Sequence, residues 1–438
     1  MMSPDEAIAG NMDFLIDAGL GNRVGVGVSG GSDSLAALVL VADWARAKGW
    51  TVHAATVDHG LRPEARAEAE SVAAFCAQRG IDHDILVWGE WDGTGNLQAA
   101  ARDARKALLG QWAGRLGLAR VVLGHTTDDQ AETFLMRLAR GSGVDGLACM
   151  AVDDPPLFLR PLLEIRRDEL RALLDARGIV WVDDPTNDDP AFDRVKARQM
   201  MAHLSELGLT TDRLVRTAAH MARARVSLDA AATEFAARHI AEDNGDLIID
   251  AEGLQAGRGD TATRVFASAL NWIGGHGYRP RYAALVAAME AVRGGASRTL
   301  GGVLVTAHSG GARLSRELSA VQGPVSAAPD ASEILWDGRW RIVPPQPADQ
   351  NPRPHSGPHS GPSSGLASGP RTGFSVRALG DDIALCKDWR AAGRPRASVM
   401  ASPAVYVDDV LVAAPLAGKP SGWTARIVAD FTTFLLSH

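Results

Sequence analysis

The stretch Val24-Gly25-Val26-Gly27-Val28-Ser29-Gly30-Gly31-Ser32-Asp33-Ser34 decides the reading of this chain. A β-rich run ends in a Ser/Gly loop, and a helical stretch then runs from Ser34 to Lys48. Paired glycines let main-chain N–H groups approach an anion, and the following helix N-terminus adds partial positive charge and free donors. Ser29, Gly30, Gly31, Ser32, Asp33 and Ser34 are therefore the candidate phosphate-binding residues. No Lys precedes a Ser or Thr at the GxxxxGK[ST] spacing, so the loop is not a Walker A motif. A carboxylate inside a phosphate cradle would repel its ligand unless a divalent cation lay between them, so Asp33 implies magnesium. The plainer alternative is a Gly/Ser turn that only caps a helix.

Working outward, β-rich runs at Arg23 to Val28, Thr51 to Val57, His83 to Trp88 and Arg120 to Leu123 alternate with helical stretches. Those stretches are Ser34 to Lys48, Pro63 to Arg79 and Leu97 to Leu116. The alternation predicts an α/β fold, a parallel sheet with helices on both faces, whose ligands sit beyond the carboxyl ends of the strands. From about Thr211 the pattern becomes Ala/Arg-rich and helical, over Thr211 to His239, Thr261 to Trp272 and Arg281 to Val292. Two strand-like runs, Thr299 to Ala307 and Ala312 to Ser315, predict a hairpin around Ser309-Gly310-Gly311. The expected organisation is an α/β domain over 1–210, a mainly helical domain over 211–330 and a connecting segment over 331–350. A Pro/Gly/Ser linker over 351–373, with the near repeat Pro354-His355-Ser356-Gly357 and Pro358-His359-Ser360-Gly361, precedes a small β-containing domain over 374–438.

The 438 residues carry 45 basic and 52 acidic side chains, a formal charge of -7, which excludes a globally basic nucleic-acid coat but not a local patch. Cys76, Cys149 and Cys386 lie far apart with no CxxC pair, so neither a disulfide framework nor a zinc or iron-sulfur site is expected. The start Met1-Met2-Ser3-Pro4-Asp5-Glu6 is acidic where a signal peptide is basic, and apolar runs such as Leu35 to Ala42 are far short of a bilayer span. A cytoplasmic protein with no membrane role is expected.

Ser29 to Ser34 resembles the SGG-x-DS loop of the N-type ATP pyrophosphatases, the PP-loop family, which split ATP between the α and β phosphates. Further blocks resemble tRNA(Ile)-lysidine synthetase in particular. They are Asp58-His59-Gly60-Leu61-Arg62-Pro63-Glu64-Ala65, then Gly124-His125-Thr126-Thr127-Asp128-Asp129-Gln130-Ala131-Glu132-Thr133. After Arg140-Gly141-Ser142-Gly143 and Gly146-Leu147 come Arg160-Pro161-Leu162-Leu163 and Asp184-Pro185-Thr186-Asn187-Asp188, with Phe192 and Arg194. The ordered set spans roughly the first half of the chain, which makes it more specific than any one motif. Lys106, Val195 and Ala197 depart from the family pattern.

The resemblance implies that ATP adenylates a cytosine carbonyl in an isoleucine tRNA with a CAU anticodon, and that L-lysine then displaces AMP. It leaves a homodimer open. The first step needs charge neutralised on the α-phosphate and on departing pyrophosphate, for which magnesium at Asp33 and Arg102 or Arg105 are the candidates. Arg102 and Arg105 share one helical face, though a solvated face would look the same. The second step needs a neutral amine from a group whose free pKa is about 10.4, hence a carboxylate to hold the ammonium and a base to take a proton. His125, Asp128 and Asp129 are the candidates: Asp128 either binds lysine or caps the helix, and Asp129 is preferred for lysine. Glu132 and Thr133 are expected to orient neighbours, and the Asp-rich turn around Pro185 and Pro190 could serve structure or substrate equally.

The resemblance implies catalysis in the PP-loop domain over 1–210 and tRNA recognition in the helical domain over 211–330; a tRNA substrate demands basic surface, and Arg194, Lys196, Arg198, Arg213 and Arg216 form a candidate phosphate track. Arg298, Arg313 and Arg316 suggest a second patch. Two other readings stay open. A tRNA cytidine 2-thiolase also adenylates cytosine but uses cysteine pairs, and a non-catalytic nucleotide-binding protein would have no use for Asp33, His125 and Asp129 together.

Overall fold

The computed structural model describes residues 2–60, 64–89, 91, 93, 97–182, 193–256, 259–275, 280–345 and 373–437. The middle of the Asp58 block, the Asp184 to Asp188 block with Phe192, and all of the expected linker but Gly373 lie outside them. The chain divides into two compact units, Met1–Val226 and Ser227–His438.

In the first unit the strands are β1 (Arg23–Gly27), β2 (Thr51–Asp58), β3 (Asp82–Val87), β4 (Val121–Leu123), β5 (Asp153–Asp154) and β6 (Phe158–Leu159). They form one sheet in the order β3-β2-β1-β4-β6-β5, parallel except for the edge strand β5. The helices are α1 (Pro4–Met12), α2 (Phe14–Asp17), α3 (Ser32–Lys48), α4 (Ala65–Ala77), α5 (Leu97–Leu116), α6 (Thr127–Ala139) and α7 (Val144–Leu147). They continue with α8 (Arg167–Ala176), α9 (Asp193–Glu206) and α10 (Thr211–His239).

Strand periodicity explains why the opening sequence alternates valine and glycine. Val24 and Val26 join a core with Ile8, Leu38, Val72 and Leu170, contributed by α1, α3, α4 and α8. On the opposite face α5 lays Leu109 and Trp112 against Ala55 and Leu123. A Cβ on Gly25 would lie 2.7 Å from the Trp112 ring, so only glycine admits that indole. Both faces of the sheet are thereby covered, as a parallel sheet requires.

In the second unit a five-stranded antiparallel sheet runs in the order Ile240–Asp243, Asp246–Ile249, Gly311–Arg316, Val303–His308, Arg298–Leu300. Helices Asp260–Gly274 and Tyr282–Arg293 bury Phe266, Leu270, Leu285 and Met289 against it. The hairpin expected around Ser309-Gly310 is present, with φ of 47° and 79° at those two residues and His308 paired to Gly311. The remaining strands interleave across the chain: Val325–Ala327 pairs with Phe374–Ala378, and Trp340–Val343 pairs with Thr424–Ile427. Residues 331–350, expected only to connect, thus supply two strands to a sheet that the C-terminal residues complete, because Trp336, Ile342, Phe374 and Trp423 need one another to be buried.

Candidate active site

β1 delivers the phosphate loop to the N-terminus of α3. Ser34 Oγ accepts from the Ser29 N–H at 3.0 Å and donates to the Gly31 carbonyl at 3.0 Å, which pins the loop shut at its base. Gly30 takes a φ of +89°, and the loop is held from outside where the Val182 N–H donates to the Gly30 carbonyl at 3.1 Å. At the end of β4 a Cβ on Gly124 would fall 2.6 Å from the Asp33 carbonyl oxygen, so glycine lets the His125 segment close on the loop. The motifs far apart in sequence meet there because β1 and β4 are neighbours in the sheet.

Beyond the strand ends lies a cavity of about 740 Å³ whose walls include Ser29, Asp33, Arg105, His125, Asp128, Asp129, Glu132, Arg167, Arg194 and Arg198. A smaller cavity of about 290 Å³ shares Gly27, Ser29 and Arg105 with it and is lined by Ala55, Val57, His59, Ala69 and Leu109.

The partly buried Arg105 side chain lines both cavities and makes no ion pair among the described residues. Burial, and secondarily the charge of Arg102, lowers its pKa. An unpaired, desolvated guanidinium is costly unless an anion joins it. Arg102 is exposed one turn earlier on α5.

Asp33 accepts from Arg167 Nε at 2.8 Å and from the Ser32 hydroxyl at 3.1 Å. Burial raises its pKa, and Arg167 opposes that rise. No group of three His, Cys, Asp or Glu side chains able to hold a metal occurs among the described residues. A magnesium ion shared with phosphates needs only one or two carboxylates, so Asp33 fits such an ion once nucleotide is present.

The cluster on α6 resolves differently from the expectation. Thr126 caps the helix, and Asp129 closes the capping box: Asp129 Oδ2 accepts from the Thr126 N–H and hydroxyl, both at 2.8 Å. Its other oxygen faces Arg167 at 3.4 Å and Arg194 at 3.8 Å. Burial alone would raise the Asp129 pKa, but Arg194 and Arg167 bring it below the ordinary value. Asp128 accepts from the Arg167 N–H at 2.8 Å, capping α8 rather than its own helix, and makes no ion pair among the described residues. Both acids therefore have structural work, the reverse of the inference that one cap leaves Asp129 free. His125 is pushed down to about 3 by burial, aided by Arg160, Arg105 and Arg194 and opposed by Asp129. Its Nδ1 is buried without a hydrogen-bond partner among the described residues.

Glu132, 2% exposed, is the hub of the cationic wall, with Arg198 at 2.9 Å, Arg194 at 3.1 Å and Arg167 at 3.6 Å. Arg194 and Arg198, expected on an RNA track, thus line the cavity, whereas Lys196, Arg213 and Arg216 are exposed outside it. Arg160 is buried against Asp154 at 2.6 Å, so its block serves as scaffold. In the second unit only Arg298 of the expected basic patch is exposed, and the other two are taken up by acids. Arg313 is 4% exposed and pairs with Asp246 at 2.7 Å and Asp243 at 2.8 Å, and Arg316 is held by Asp337 at 2.9 and 3.0 Å. Acids distant in sequence neutralise both, which a search for local charge excess does not detect. Sequence reasoning missed Arg167. Its signal was an arginine in the first turn of a helix, where the dipole disfavours a cation unless carboxylates hold it.

A family model described as a PP-loop domain matches residues 4–204. A tRNA(Ile)-lysidine synthase of Ruegeria pomeroyi is 43% identical over 424 residues, covering 95% of this chain and 94% of that protein. The chain belongs to the tRNA(Ile)-lysidine synthase family. A lysidine synthase of Methylobacterium nodulans is 39% identical, covering 71% of this chain and 95% of that protein. Among solved structures, the U34-tRNA thiolase of Methanococcus maripaludis with its 4Fe-4S cluster is 21% identical, with a TM-score of 0.42, covering 50% of this chain and 78% of that one. The cysteines of this lysidine synthase family member are all buried, and burial pushes the Cys76 and Cys149 thiols up to about 11, which suits packing rather than sulfur transfer.

Proposed function

We propose that this chain, an ATP-using ligase of the lysidine synthase family, joins L-lysine to the wobble cytidine of isoleucine tRNA with a CAU anticodon. The observation that carries the reading is Arg105, a partly buried cation beside the phosphate loop that lacks a carboxylate among the described residues and lines both cavities. The smaller cavity, with its Ala, Val and Leu walls, suits a purine base, and the larger suits the triphosphate, the cytosine and lysine.

The loop N–H groups of Gly30 to Ser34 and Arg105 hold the phosphates, so that the cytosine oxygen attacks the α-phosphate and pyrophosphate leaves. A bound Mg²⁺ would be held at Asp33 and would neutralise phosphate charge. Asp128 and Asp129 then hold the lysine ammonium end, Asp128 being the carboxylate without a described cation of its own. His125 is neutral and can accept the amine proton, and triphosphate beside Arg105 and Arg194 would offset the charges that weaken it as a base. The amine displaces AMP. Lys196, Arg213 and Arg216 contact tRNA phosphates.

No helix among the described residues is long and apolar enough to cross a membrane, and a cytoplasmic site of action is part of the proposal. So is a homodimer, which a sedimentation mass of one chain would remove. The reaction is tested by mass spectrometry of nucleosides from unmodified isoleucine tRNA with a CAU anticodon, incubated with protein, ATP, magnesium and lysine. The expected gain on one cytidine is lysine minus water, and any other mass change overturns the reading.

A further inference from the structure

Three carboxylates, Asp33, Asp129 and Glu132, face three guanidiniums, Arg167, Arg194 and Arg198, around the larger cavity. The pairing is uneven. Glu132 has all three arginines within 3.6 Å, and Asp129 has Arg167 and Arg194 within 3.8 Å. Among the described residues Asp33 has only Arg167, at 2.8 Å. Arg167 is also the innermost of the three, its side chain 17% exposed against 39% for Arg194 and 38% for Arg198.

A carboxylate withdrawn from water needs a cation. We propose that Arg167 is a positioning residue that stands in for the divalent ion at Asp33 while the nucleotide is absent. It keeps free metal out and yields Asp33 only when phosphates arrive. The inference rests on the placing of a metal at Asp33 in the reading above. Three of its nitrogens serve three acids: Nε bonds Asp33, and the two terminal nitrogens reach Asp129 at 3.4 Å and Glu132 at 3.6 Å. Losing Asp33 therefore leaves the guanidinium anchored at the cavity wall, where a phosphate can take up its Nε–H. Its main-chain N–H is fixed independently by Asp128 at 2.8 Å, so the side chain can turn without disturbing the start of α8. Metal and nucleotide then bind as a pair, each strengthening the other.

The test is a Mn²⁺ titration of the full chain without nucleotide, followed by electron paramagnetic resonance of the free ion. Wild type should leave the signal nearly untouched. Arg167→Gln removes one positive charge from a balanced cluster and should bind one Mn²⁺ at least about tenfold more tightly, a difference of about 1.4 kcal/mol. Its melting temperature should drop and recover with Mn²⁺, whereas adding Asp33→Asn should abolish the uptake. Equal Mn²⁺ binding by wild type and Arg167→Gln, or uptake that survives Asp33→Asn, overturns the proposal. Should Arg167→Gln not fold, the wild type decides: ATP affinity that is the same with and without Mn²⁺ overturns it, and mutual strengthening supports it. Failure to make lysidine while these metal results hold would sink the functional reading and leave this one standing.

Discussion

Two clusters of arginine and aspartate, one in each unit, show how the same residue types come to different uses. In the second unit Arg313, Asp246 and Arg394 are buried together with the partly exposed Asp243 at their edge, Arg394 lying 3.7 Å from Asp246 and donating to the Asn244 carbonyl at 3.0 Å. In the first unit the arginines and acids border an open cavity, and Arg105 stands there with no acid among the described residues. A sealed, matched set contributes to one packing arrangement. A set with an unmatched cation facing a cavity is arranged for an anion that comes and goes.

The comparison breaks most readily at Arg313. Arg313→Ala takes from buried Asp246 its closest cation, leaving only Arg394 at 3.7 Å, and takes from the partly exposed Asp243 its partner, so the cost should be about 3 kcal/mol, the low end for losing one partner of a buried pair. Denaturant unfolding should show that loss, with tRNA affinity at low temperature unchanged. A weakened RNA complex with undiminished stability would restore Arg313 to an RNA surface.

Next in size is Asp33→Asn. It removes the loop's acid while keeping the shape, and tRNA-dependent pyrophosphate release should fall by at least about 10²–10³, the usual worth of one charge-stabilising group. The melting temperature should stay close to wild type. Unimpaired turnover would take Asp33 out of the metal role.

The cavity should also show in the pH dependence of stability. His125 titrates near 3 when folded and about 6.5 when unfolded, so between those values the unfolded chain binds the extra proton. Its contribution is therefore full above the unfolded value and lost on acidification through that window, by at most about 1.4 kcal/mol per pH unit. His125→Gln should flatten this part of the curve in urea melts between pH 4 and 7. An unchanged slope would mean that His125 is solvated.

The first unit was largely legible because its signals are local. The phosphate loop follows its strand directly, and the strand-helix alternation predicts the parallel sheet without long-range information. Side-chain partners were not legible. Arg167 reaches Asp33 across 134 residues, and Arg313 reaches Asp246 across 67, distances over which no spacing rule operates. The C-terminal strands were missed as partners of residues 325–343 for the same reason, since pairing of Phe374–Ala378 with Val325–Ala327 leaves no periodic mark. Asp129 closes the capping box of α6 and Asp128, expected to bind lysine or cap α6, caps α8 instead, a partnership between two helices that no local spacing marks.

The smallest effect separates arginines inside the cavity from those outside. Arg213 and Arg216 are exposed on α10, and among the described residues their side chains hydrogen-bond only to nearby main-chain oxygens, Gly208 at 2.9 Å and Asp212 at 3.4 Å. Each is thus available to a phosphate, and removing one such cation from the RNA interface should reduce the slope of log affinity against log salt by about 0.7–0.9. Arg213→Ala with Arg216→Ala should flatten the tRNA slope by about twice that amount while leaving lysidine formation at saturating tRNA intact. Arg194→Ala and Arg198→Ala strip Glu132 of two of its three cations, so they should lower turnover at saturating tRNA instead, with little change in slope. Filter binding over a salt series, run beside single-turnover assays, compares the two pairs. If the α10 pair altered turnover and the Glu132 pair altered only the slope, the boundary between chemistry and RNA capture would run the other way through these helices.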